Sequence, residues 1–259
     1  MSNVWFITGT SRGLGLAIAE AALNAGASVI ATARTPSQLD HLVSKYGVDK
    51  VLPLALDVSD NDAVLRAVKA GHAKFGRIDI VINNAGYADT AAVEDTAVES
   101  FHAQINTNLL GVIYVTKAVL PILRKQGSGH IFQVSSLGGR AVGGFSTVLA
   151  QEVAPLGIKI TVLEPGGIRT DWAGSSMKIL PVSEPYKQTV GAVTDMLRIH
   201  AKEFPSLPDK IADIVLKLSE KEPPLRLLLG PEAGDYAANA AKTIAESDEK
   251  WRYLTLSSF

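Results

Sequence analysis

The sequence of 259 residues contains no cysteine, which excludes disulfide bonds and thiol chemistry. Neither sign of charge is in excess, and the net charge of −1 gives no reason to expect nucleic acid or an anionic membrane as a partner. The first residues carry no basic stretch followed by a long apolar one, so we expect no secretory signal. The longest apolar run, 109–123, is interrupted by Lys117 and is expected to be a buried helix. These absences predict a soluble protein of the cytoplasm.

The apolar residues that are present form short continuous runs, separated by segments with helical periodicity. The predicted strands lie near 3–7, 28–32, 51–56, 78–82, 130–135, 158–163 and 225–229. The predicted helices lie near 14–25, 37–46, 60–75, 98–124, 142–154 and 209–219, the third with Ser59 as its N-cap. Continuous apolar runs are typical of parallel strands that are covered on both faces. We therefore predict an α/β fold, a doubly wound, Rossmann-like parallel sheet with helices on both faces, in one domain over 1–259.

A glycine-rich turn follows the first predicted strand and opens the first predicted helix. Gly9 suits a tight turn, Gly13 allows an anion to approach the backbone, and Gly15 allows the helix to pack on the strand. A helix that begins in this way directs its N–H groups and the positive end of its dipole at one point. The turn therefore predicts a site for the phosphates of a dinucleotide.

The residues after the second predicted strand indicate which dinucleotide is bound. A site that selects NAD has an acidic residue near this position to hold the ribose 2′-hydroxyl, and the segment 33–35 contains none. Arg34 and Arg12 offer instead two guanidinium groups that can pair with a 2′-phosphate. The alternative is that both arginines are ordinary surface residues. We predict NADP(H) as the cofactor.

Further motifs follow in a fixed order: Asp57-Val58, Asn83-Asn84-Ala85-Gly86, Asn108-Leu109-Leu110-Gly111, Ser135-Ser136 and Pro165-Gly166-Gly167-Ile168-Arg169-Thr170. Together with the glycine turn, they resemble the short-chain dehydrogenase/reductase family over almost the whole chain. The likeness is to NADP-type members such as carbonyl reductases and hydroxysteroid or retinol dehydrogenases. The resemblance implies an oxidoreductase that exchanges a hydride with the carbonyl or secondary alcohol of a small molecule.

The resemblance also implies roles for individual residues. Asp57 is implied to contact the adenine ring. Pro165–Thr170 is implied to flank the nicotinamide, with Thr170 near its carboxamide. Asn108 is implied to help hold a water that relays protons, and Ser136 to bind the substrate carbonyl, with Ser135 as its neighbouring alternative. The implied cofactor-binding residues are Gly9, Ser11, Arg12, Gly13, Leu14, Gly15, Arg34, Asp57, Val58, Asn84, Ala85, Gly86, Pro165, Gly166, Ile168 and Thr170.

One element of the family pattern is missing. Members carry Tyr-x-x-x-Lys about a dozen residues after the serine, where Tyr is the general acid or base and Lys lowers its pKa. No tyrosine lies between Ser136 and Pro165, and the one lysine there, Lys159, falls in the next predicted strand. The chain is expected to lack the first half of the family's central helix and the loop before it, as a deletion between Arg140 and Val142. The shortened helix 142–154 still has an apolar stripe to cover the sheet, formed by Phe145, Val148, Leu149 and Val153.

The missing motif leaves three interpretations open: an oxidoreductase that obtains its proton donor elsewhere, a cofactor-binding relative that is impaired or inactive, and a truncated product that binds little. Tyr87 is the candidate for a replacement acid, although proton transfer requires it to reach the substrate.

We expect an apolar substrate under the segment 170–208, which is predicted to be an insertion on the substrate side. A family-like homodimer through the helix 98–124 is possible but weakened by the shortened helix 142–154. No spacing indicates a metal site.

Overall fold

The computed structural model describes residues 2–137, 141–173 and 177–257. The strands are β1 (Val4–Ile7), β2 (Ser28–Ala33), β3 (Val51–Ala55), β4 (Ile80–Asn83), β5 (Ala88–Thr90), β6 (Gly129–Val134), β7 (Ile158–Pro165), β8 (Met177–Ile179) and β9 (Arg226–Leu229). The helices are α1 (Gly13–Asn24), α2 (Asp40–Tyr46), α3 (Asn61–Phe75), α4 (Val98–Ile105), α5 (Gly111–Gln126), α6 (Ala141–Val153), α7 (Ala192–His200), α8 (Pro208–Ser219) and α9 (Pro231–Leu256).

Seven of the described strands form one parallel sheet in the order β3-β2-β1-β4-β6-β7-β9, as predicted. Alternate residues of β1 enter different cores: Trp5 and Ile7 belong to the cluster under α1 and α8, Phe6 to the cluster under α3 and α5. Both faces are therefore buried, which explains why the strands read as continuous apolar runs. The order of the strands reverses between β1 and β4, and this switch point is where such sheets bind ligands.

The helix predicted over 98–124 continues to residue 126 and is interrupted at one place. Between α4 and α5, the residues Asn106–Leu110 form a π-helical turn. Single π turns inside helices often occur at functional sites because they redirect side chains. This turn contains Asn108.

Two details of the sequence prediction were wrong. The N-cap of α3 is Asp60, not Ser59: the Asp60 carboxylate accepts from the backbone N–H groups of Asp62 and Ala63 at 2.9 and 3.0 Å, because it directly precedes the first helical residue. Ser59 instead donates its hydroxyl to Asp57 Oδ1 at 2.7 Å. In α6, Leu149 and Val153 are buried as predicted, whereas Val148 is 68% exposed.

Two further features were not predicted. The short strands β5 and β8 pair in parallel outside the main sheet, and three residues each are too few to show a periodic pattern. The C-terminal helix α9 has a single buried residue, Ala233, and all of 241–257 is exposed. Its packed stripe is short and consists of alanines, so its hydrophobic periodicity is weak.

Candidate active site

The glycine turn between β1 and α1 has the backbone that its sequence predicts. Gly9 and Gly13 have φ values of 69° and 60°, in the left-handed region that favours glycine. A Cβ atom on Gly15 would overlap the carbonyl oxygen of Gly9. No side chain caps the first turn of α1, and no acidic residue lies in it. The N-terminus of α1 therefore has neither a side-chain cap nor a negative charge, which suits the binding of a phosphate group.

The turn is fastened to the segment that follows β4. The backbone N–H groups of Asn84 and Ala85 donate to Thr8 Oγ1 at 2.9 and 3.0 Å. The side-chain amide of Asn84 donates in return to the carbonyl oxygens of Thr8 and Gly9, at 2.9 and 3.2 Å. A Cβ atom on Gly9 would lie 3.0 Å from the Cα atom of Ala85. Two motifs separated by about 75 residues are thus held in contact at the switch point of the sheet.

The turn is also fastened to the end of β2. The Thr10 N–H donates to the Thr32 carbonyl at 2.9 Å, and the Thr32 N–H donates to Thr10 Oγ1 at 3.2 Å. Arg12 and Arg34 each follow two residues after one of these threonines, and neither is buried. No acidic side chain occurs among 33–35.

Asp57 and Val58 follow β3 at the same edge of the sheet. Asp57 is exposed and its Oδ1 accepts from the backbone N–H of Ser59 at 2.9 Å. Val58 is buried and packs against α5, where a Cβ atom on Gly111 would lie 2.8 Å from its Cγ2. Val58 therefore packs between the end of β3 and α5, whereas Asp57 remains accessible at the surface.

Asn108 lies in the π turn and is bound to the backbone of Tyr87. Its Oδ1 accepts from the Tyr87 N–H at 3.1 Å, and its Nδ2 donates to the Tyr87 carbonyl at 2.8 Å. Gly86 leaves room for this pair, since a Cβ atom there would lie 3.2 Å from Asn108 Oδ1. The Asn108 amide thus ties the α4–α5 helix to the segment after β4.

Ser136 follows the carboxyl end of β6 and is exposed. The strand remains fastened to β7 on both sides of it, because the Ser135 N–H donates to Leu163 O at 2.8 Å and the Leu137 N–H to Pro165 O at 3.3 Å. The deletion predicted between Arg140 and Val142 borders on residues 138–140, which lie outside the described residues. Helix α6 begins at Ala141 and contains neither tyrosine nor lysine.

The segment Pro165–Thr170 ends β7 beside the glycine turn. A Cβ atom on Gly13 would lie 3.5 Å from the Thr170 Cβ. Ile168 packs against the core cluster under α1. The N–H groups of Gly166 and Arg169 donate to the carbonyl oxygens of Leu229 and Ser206, both at 2.9 Å. The glycine turn thus contacts the end of β2 and the segments that follow β4 and β7, and the candidate cleft lies between these parts of the chain at the carboxyl edge of the sheet.

One residue of this cleft was missed by the sequence prediction. Glu232, in the first turn of α9, accepts from the Gly167 N–H through its Oε1 at 2.8 Å. The two residues are 65 positions apart, and no spacing rule connects them. An acidic residue directly after Gly230-Pro231 marks the start of a helix. That signal would have located α9 but not the contact.

The two candidates for the missing Tyr and Lys are placed unfavourably. Burial, together with the charges of Asp89 and Asp57, raises the pKa of the Tyr87 phenol above its usual value of 10, although Arg34 opposes this. The charged neighbours of Tyr87 thus include Arg34 and Asp57, which were predicted to bind the adenosine end of the cofactor. A general acid near neutral pH needs the opposite shift of its pKa.

Lys159 lies at the far end of the sheet. It is the second residue of β7, and its ammonium group pairs with Glu222 at 2.7 Å and donates to the Lys221 carbonyl at 3.1 Å. Six residues of strand, about 20 Å, separate it from Pro165 at the cleft. Lys159 is therefore remote from the end of β7 at which Ser135 and Pro165 lie.

The described part of the segment 170–208 contacts the chain that follows β4. Its strand β8 pairs with β5, and the Tyr186 hydroxyl donates to Glu94 Oε2 at 2.7 Å. The Ser183 N–H donates to Asp95 Oδ2 at 2.9 Å. An open cavity of about 500 Å³ is lined by Ile179, Leu180, Pro181, Val182, Lys187, Gly191, Thr194, Asp195 and Arg198. The segment thus has an apolar wall and a charged rim. Among the described residues, no group of three metal-ligating side chains occurs.

Comparison with known proteins agrees with this geometry. Residues 3–179 match the family model for short chain dehydrogenase. The oxidoreductase BOA17 of Botryotinia fuckeliana (strain B05.10) is 67% identical over 273 aligned positions, which cover 100% of both chains. A short-chain dehydrogenase from Streptomyces avermitilis has a crystal structure with a TM-score of 0.93 and 32% identity, covering 100% of this chain and 98% of that one. The closed form of serine dehydrogenase complexed with NADP+ has a TM-score of 0.74 and 25% identity, covering 88% and 94%.

The alignment with the Botryotinia protein is longer than this chain. It spans 273 positions against 259 residues, so at least 14 residues of that relative have no counterpart in this chain (273 − 259). The sequence between Ser136 and Pro165 is where the family pattern is incomplete.

Proposed function

Because this chain belongs to the short-chain dehydrogenase family of oxidoreductases, we propose that it binds NADP(H) and acts on the carbonyl or secondary alcohol of an apolar small molecule. A nicotinamide cofactor is expected from the relatives of known structure, one of which is complexed with NADP+. The choice of NADP(H) over NAD(H) is our proposal. When bound, the nicotinamide supplies or accepts the hydride.

One observation carries the preference for NADP(H). The ends of β1 and β2 are joined through Thr10 and Thr32, and each strand continues into an arginine at the surface, Arg12 or Arg34. No carboxylate is present among 33–35 to accept the 2′-hydroxyl of NAD(H). A guanidinium group can bind a 2′-phosphate through two parallel hydrogen bonds.

Fluorescence titration with NADPH and NADH tests this preference. The wild-type chain is expected to bind NADPH more tightly, and Arg34→Ala should lose roughly tenfold in NADPH affinity, about 1.4 kcal/mol, with NADH unchanged. Arg66→Ala, which removes an exposed arginine from α3, is the matched control and should bind as the wild type does. Equal loss of both nucleotides in Arg34→Ala, or tighter binding of NADH by the wild type, would refute the preference.

A second proposal concerns turnover. We infer that this chain binds its cofactor but reduces carbonyls slowly, because no Tyr-x-x-x-Lys motif follows Ser136 and neither Tyr87 nor Lys159 is placed to replace it. Ser136 and Asn108 are left to hold the substrate carbonyl and to order the cleft. At least 14 residues of the Botryotinia relative have no counterpart in this chain, as expected if a segment is missing.

Oxidation of NADPH with a panel of apolar ketones and aldehydes tests the turnover proposal, with the Botryotinia protein assayed in parallel. The intact mass of the purified chain must first be verified as 27.4 kDa, because a larger mass would mean that additional residues are present. We expect turnover by the relative and a rate at least 100-fold lower for this chain, since general acid catalysis contributes about 10²–10⁴-fold. Comparable rates for the two proteins would disprove the inference.

Assembly and location remain proposals as well. The stretch Val98–Gln126 is apolar and long enough to cross a membrane by length and composition, but Val112, Val115 and Val119 pack into the core of this fold. Val98 and Ile105 on this stretch are exposed and support a homodimer, which the shortened α6 would weaken. Light scattering after gel filtration and cell fractionation test the proposed dimer and the proposed cytoplasmic location.

A further inference from the structure

The segment Pro165–Thr170 is held in place from the C-terminal part of the chain. Three of its backbone N–H groups are bound there: Gly166 to the carbonyl oxygen of Leu229, Gly167 to the carboxylate of Glu232, and Arg169 to the carbonyl oxygen of Ser206. Two of the acceptors are backbone atoms, so they cannot be removed by a substitution. The Glu232 carboxylate is the one side chain among the three.

Glu232 is packed directly against the two glycines. A Cβ atom on Gly166 would overlap its Oε1, which accepts from the Gly167 N–H at 2.8 Å. Its other oxygen, Oε2, is buried and has no partner among the described residues. The carboxylate therefore faces this turn and not the solvent, and its contact with the turn is not an incidental one at the surface.

The position of Glu232 also suits its charge. It lies in the first turn of α9, directly after Gly230 and Pro231, where the positive end of the helix dipole stabilises an anion. A hydrogen bond from a backbone N–H to a carboxylate is roughly twice as strong as one to a neutral acceptor. The same side chain thus connects the start of α9 to the turn that follows β7.

We propose that Glu232 is a positioning residue that fixes the Gly166–Gly167 turn, and thereby the part of the cleft that meets the nicotinamide. This inference rests on the proposed function, because Pro165–Thr170 was assigned to the nicotinamide end. Glu232 acts through the backbone of the turn and does not contact the reacting atoms. It makes the C-terminal helix part of the cofactor site.

The first arm of the test needs no cofactor. Hydrogen–deuterium exchange of the peptide containing 166–170 is compared in the wild type, Glu232→Ala and Glu232→Gln. The amides of the turn should exchange about tenfold faster in Glu232→Ala, whereas Glu232→Gln, which keeps an acceptor oxygen, should stay within about threefold of the wild type. Asp235→Ala, which removes an exposed acidic side chain from the same helix, is the matched control. Unchanged exchange in Glu232→Ala would overturn the proposal.

The second arm separates the nicotinamide end from the rest of the site. Glu232→Ala should weaken NADPH binding about tenfold and leave unchanged the affinity for 2′-phospho-ADP-ribose, which lacks the nicotinamide. Equal loss of both ligands, or loss of neither, would refute the positioning role even if exchange increases. If the wild type binds neither ligand, the proposed function fails, and the exchange measurement still decides whether Glu232 holds the turn.

Discussion

At the scale of single residues, the hydrogen bonds of the buried His130 determine which nitrogen of its ring carries the proton. His130 in β6 is 3% exposed, and its Nε2 lies 2.9 Å from Thr161 Oγ1. The Thr161 hydroxyl donates to the Pro224 carbonyl at 3.0 Å, so it can only accept from the imidazole, and the proton of the neutral ring is on Nε2. Nδ1 is buried and has no partner among the described residues. A second proton on Nδ1 would therefore be a buried donor without an acceptor.

This geometry predicts how stability depends on pH. Burial, and secondarily the charge of Lys159, lowers the pKa of His130 from 6.5 to about 3. The unfolded chain binds the proton below pH 6.5 while the folded chain does not, so the contribution of His130 is complete above about pH 6.5 and is lost as the pH falls toward 3. We expect the free energy of unfolding to fall by up to about 1.4 kcal/mol per pH unit from this group.

Urea denaturation between about pH 8 and pH 5 measures this dependence. His130→Gln should flatten the slope, because its side chain does not titrate. His102→Gln, at an exposed position of α4, is the control and should keep the slope of the wild type. The explanation fails if His130→Gln and the wild type lose stability in parallel over this range.

A second prediction at this scale concerns the glycine turn. In Gly15→Ala the added methyl group would overlap the Gly9 carbonyl oxygen and lie 2.5 Å from the Asn84 side-chain amide. Relief requires the turn to move away from Asn84, so we expect a loss of about 1–3 kcal/mol in stability and loss of NADPH binding. Chemical denaturation and NADPH titration measure the two effects. A Gly15→Ala protein that binds NADPH normally would contradict this account of the turn.

At the scale of elements, the sequence of α6 lowers the stability of this helix for a reason other than its packing. Gly143 and Gly144 lie in its first turn, and a Cβ atom on either would meet no atom within 4 Å. Glycine in a helix costs about 0.5–1 kcal/mol relative to alanine, because more backbone entropy is lost on folding. These two positions weaken the helix without serving a contact among the described residues.

Replacing one of these glycines should therefore stabilise the protein. We expect Gly144→Ala to raise the free energy of unfolding by about 0.5–1 kcal/mol, as measured in urea. The substitution also serves as the control for Gly15→Ala, since both add one methyl group but only one of them meets an obstacle. A destabilised Gly144→Ala protein would mean that the start of α6 is not helical in solution.

At the scale of the whole molecule, the cleft is assembled from motifs spread along most of the chain. The segments after β1, β2, β4 and β7, together with the start of α9, contribute to one site, so binding there couples to the folding of the entire domain. A ligand that binds only the folded state at about 100 times its Kd stabilises that state by about 2.7 kcal/mol.

NADPH should therefore raise the Tm of this chain. For a domain of this size, a gain of about 2.7 kcal/mol corresponds to roughly 5–10 °C, and saturating NADH should give a smaller shift. Differential scanning fluorimetry measures the shift, with adenosine as a ligand control. Identical curves with and without NADPH would favour the interpretation that the shortened chain has lost its cofactor site.

The features that could be predicted from the sequence depend on local rules. Continuous apolar runs identified the seven strands of the sheet, because both faces are buried, and the spacing of Gly9, Gly13 and Gly15 identified the turn. Both signals depend on properties of a few neighbouring residues. The side chains of a strand alternate in direction, and a φ value in the left-handed region favours glycine. The family was readable for the same reason, whereas the loss of its Tyr-x-x-x-Lys motif stays a prediction.

Only the tertiary structure determines which residues these motifs contact. In the folded chain, the Asn108 amide binds the backbone of Tyr87, and Lys159 lies at the far end of β7. Glu232 accepts a hydrogen bond from the Gly166–Gly167 turn. These contacts join residues 21 to 65 positions apart. Such distances are set by the order of the strands and by the path of the chain between them. No local spacing encodes that path, and this is why the sequence identified the cofactor turn but not the residue that holds the opposite wall of its cleft.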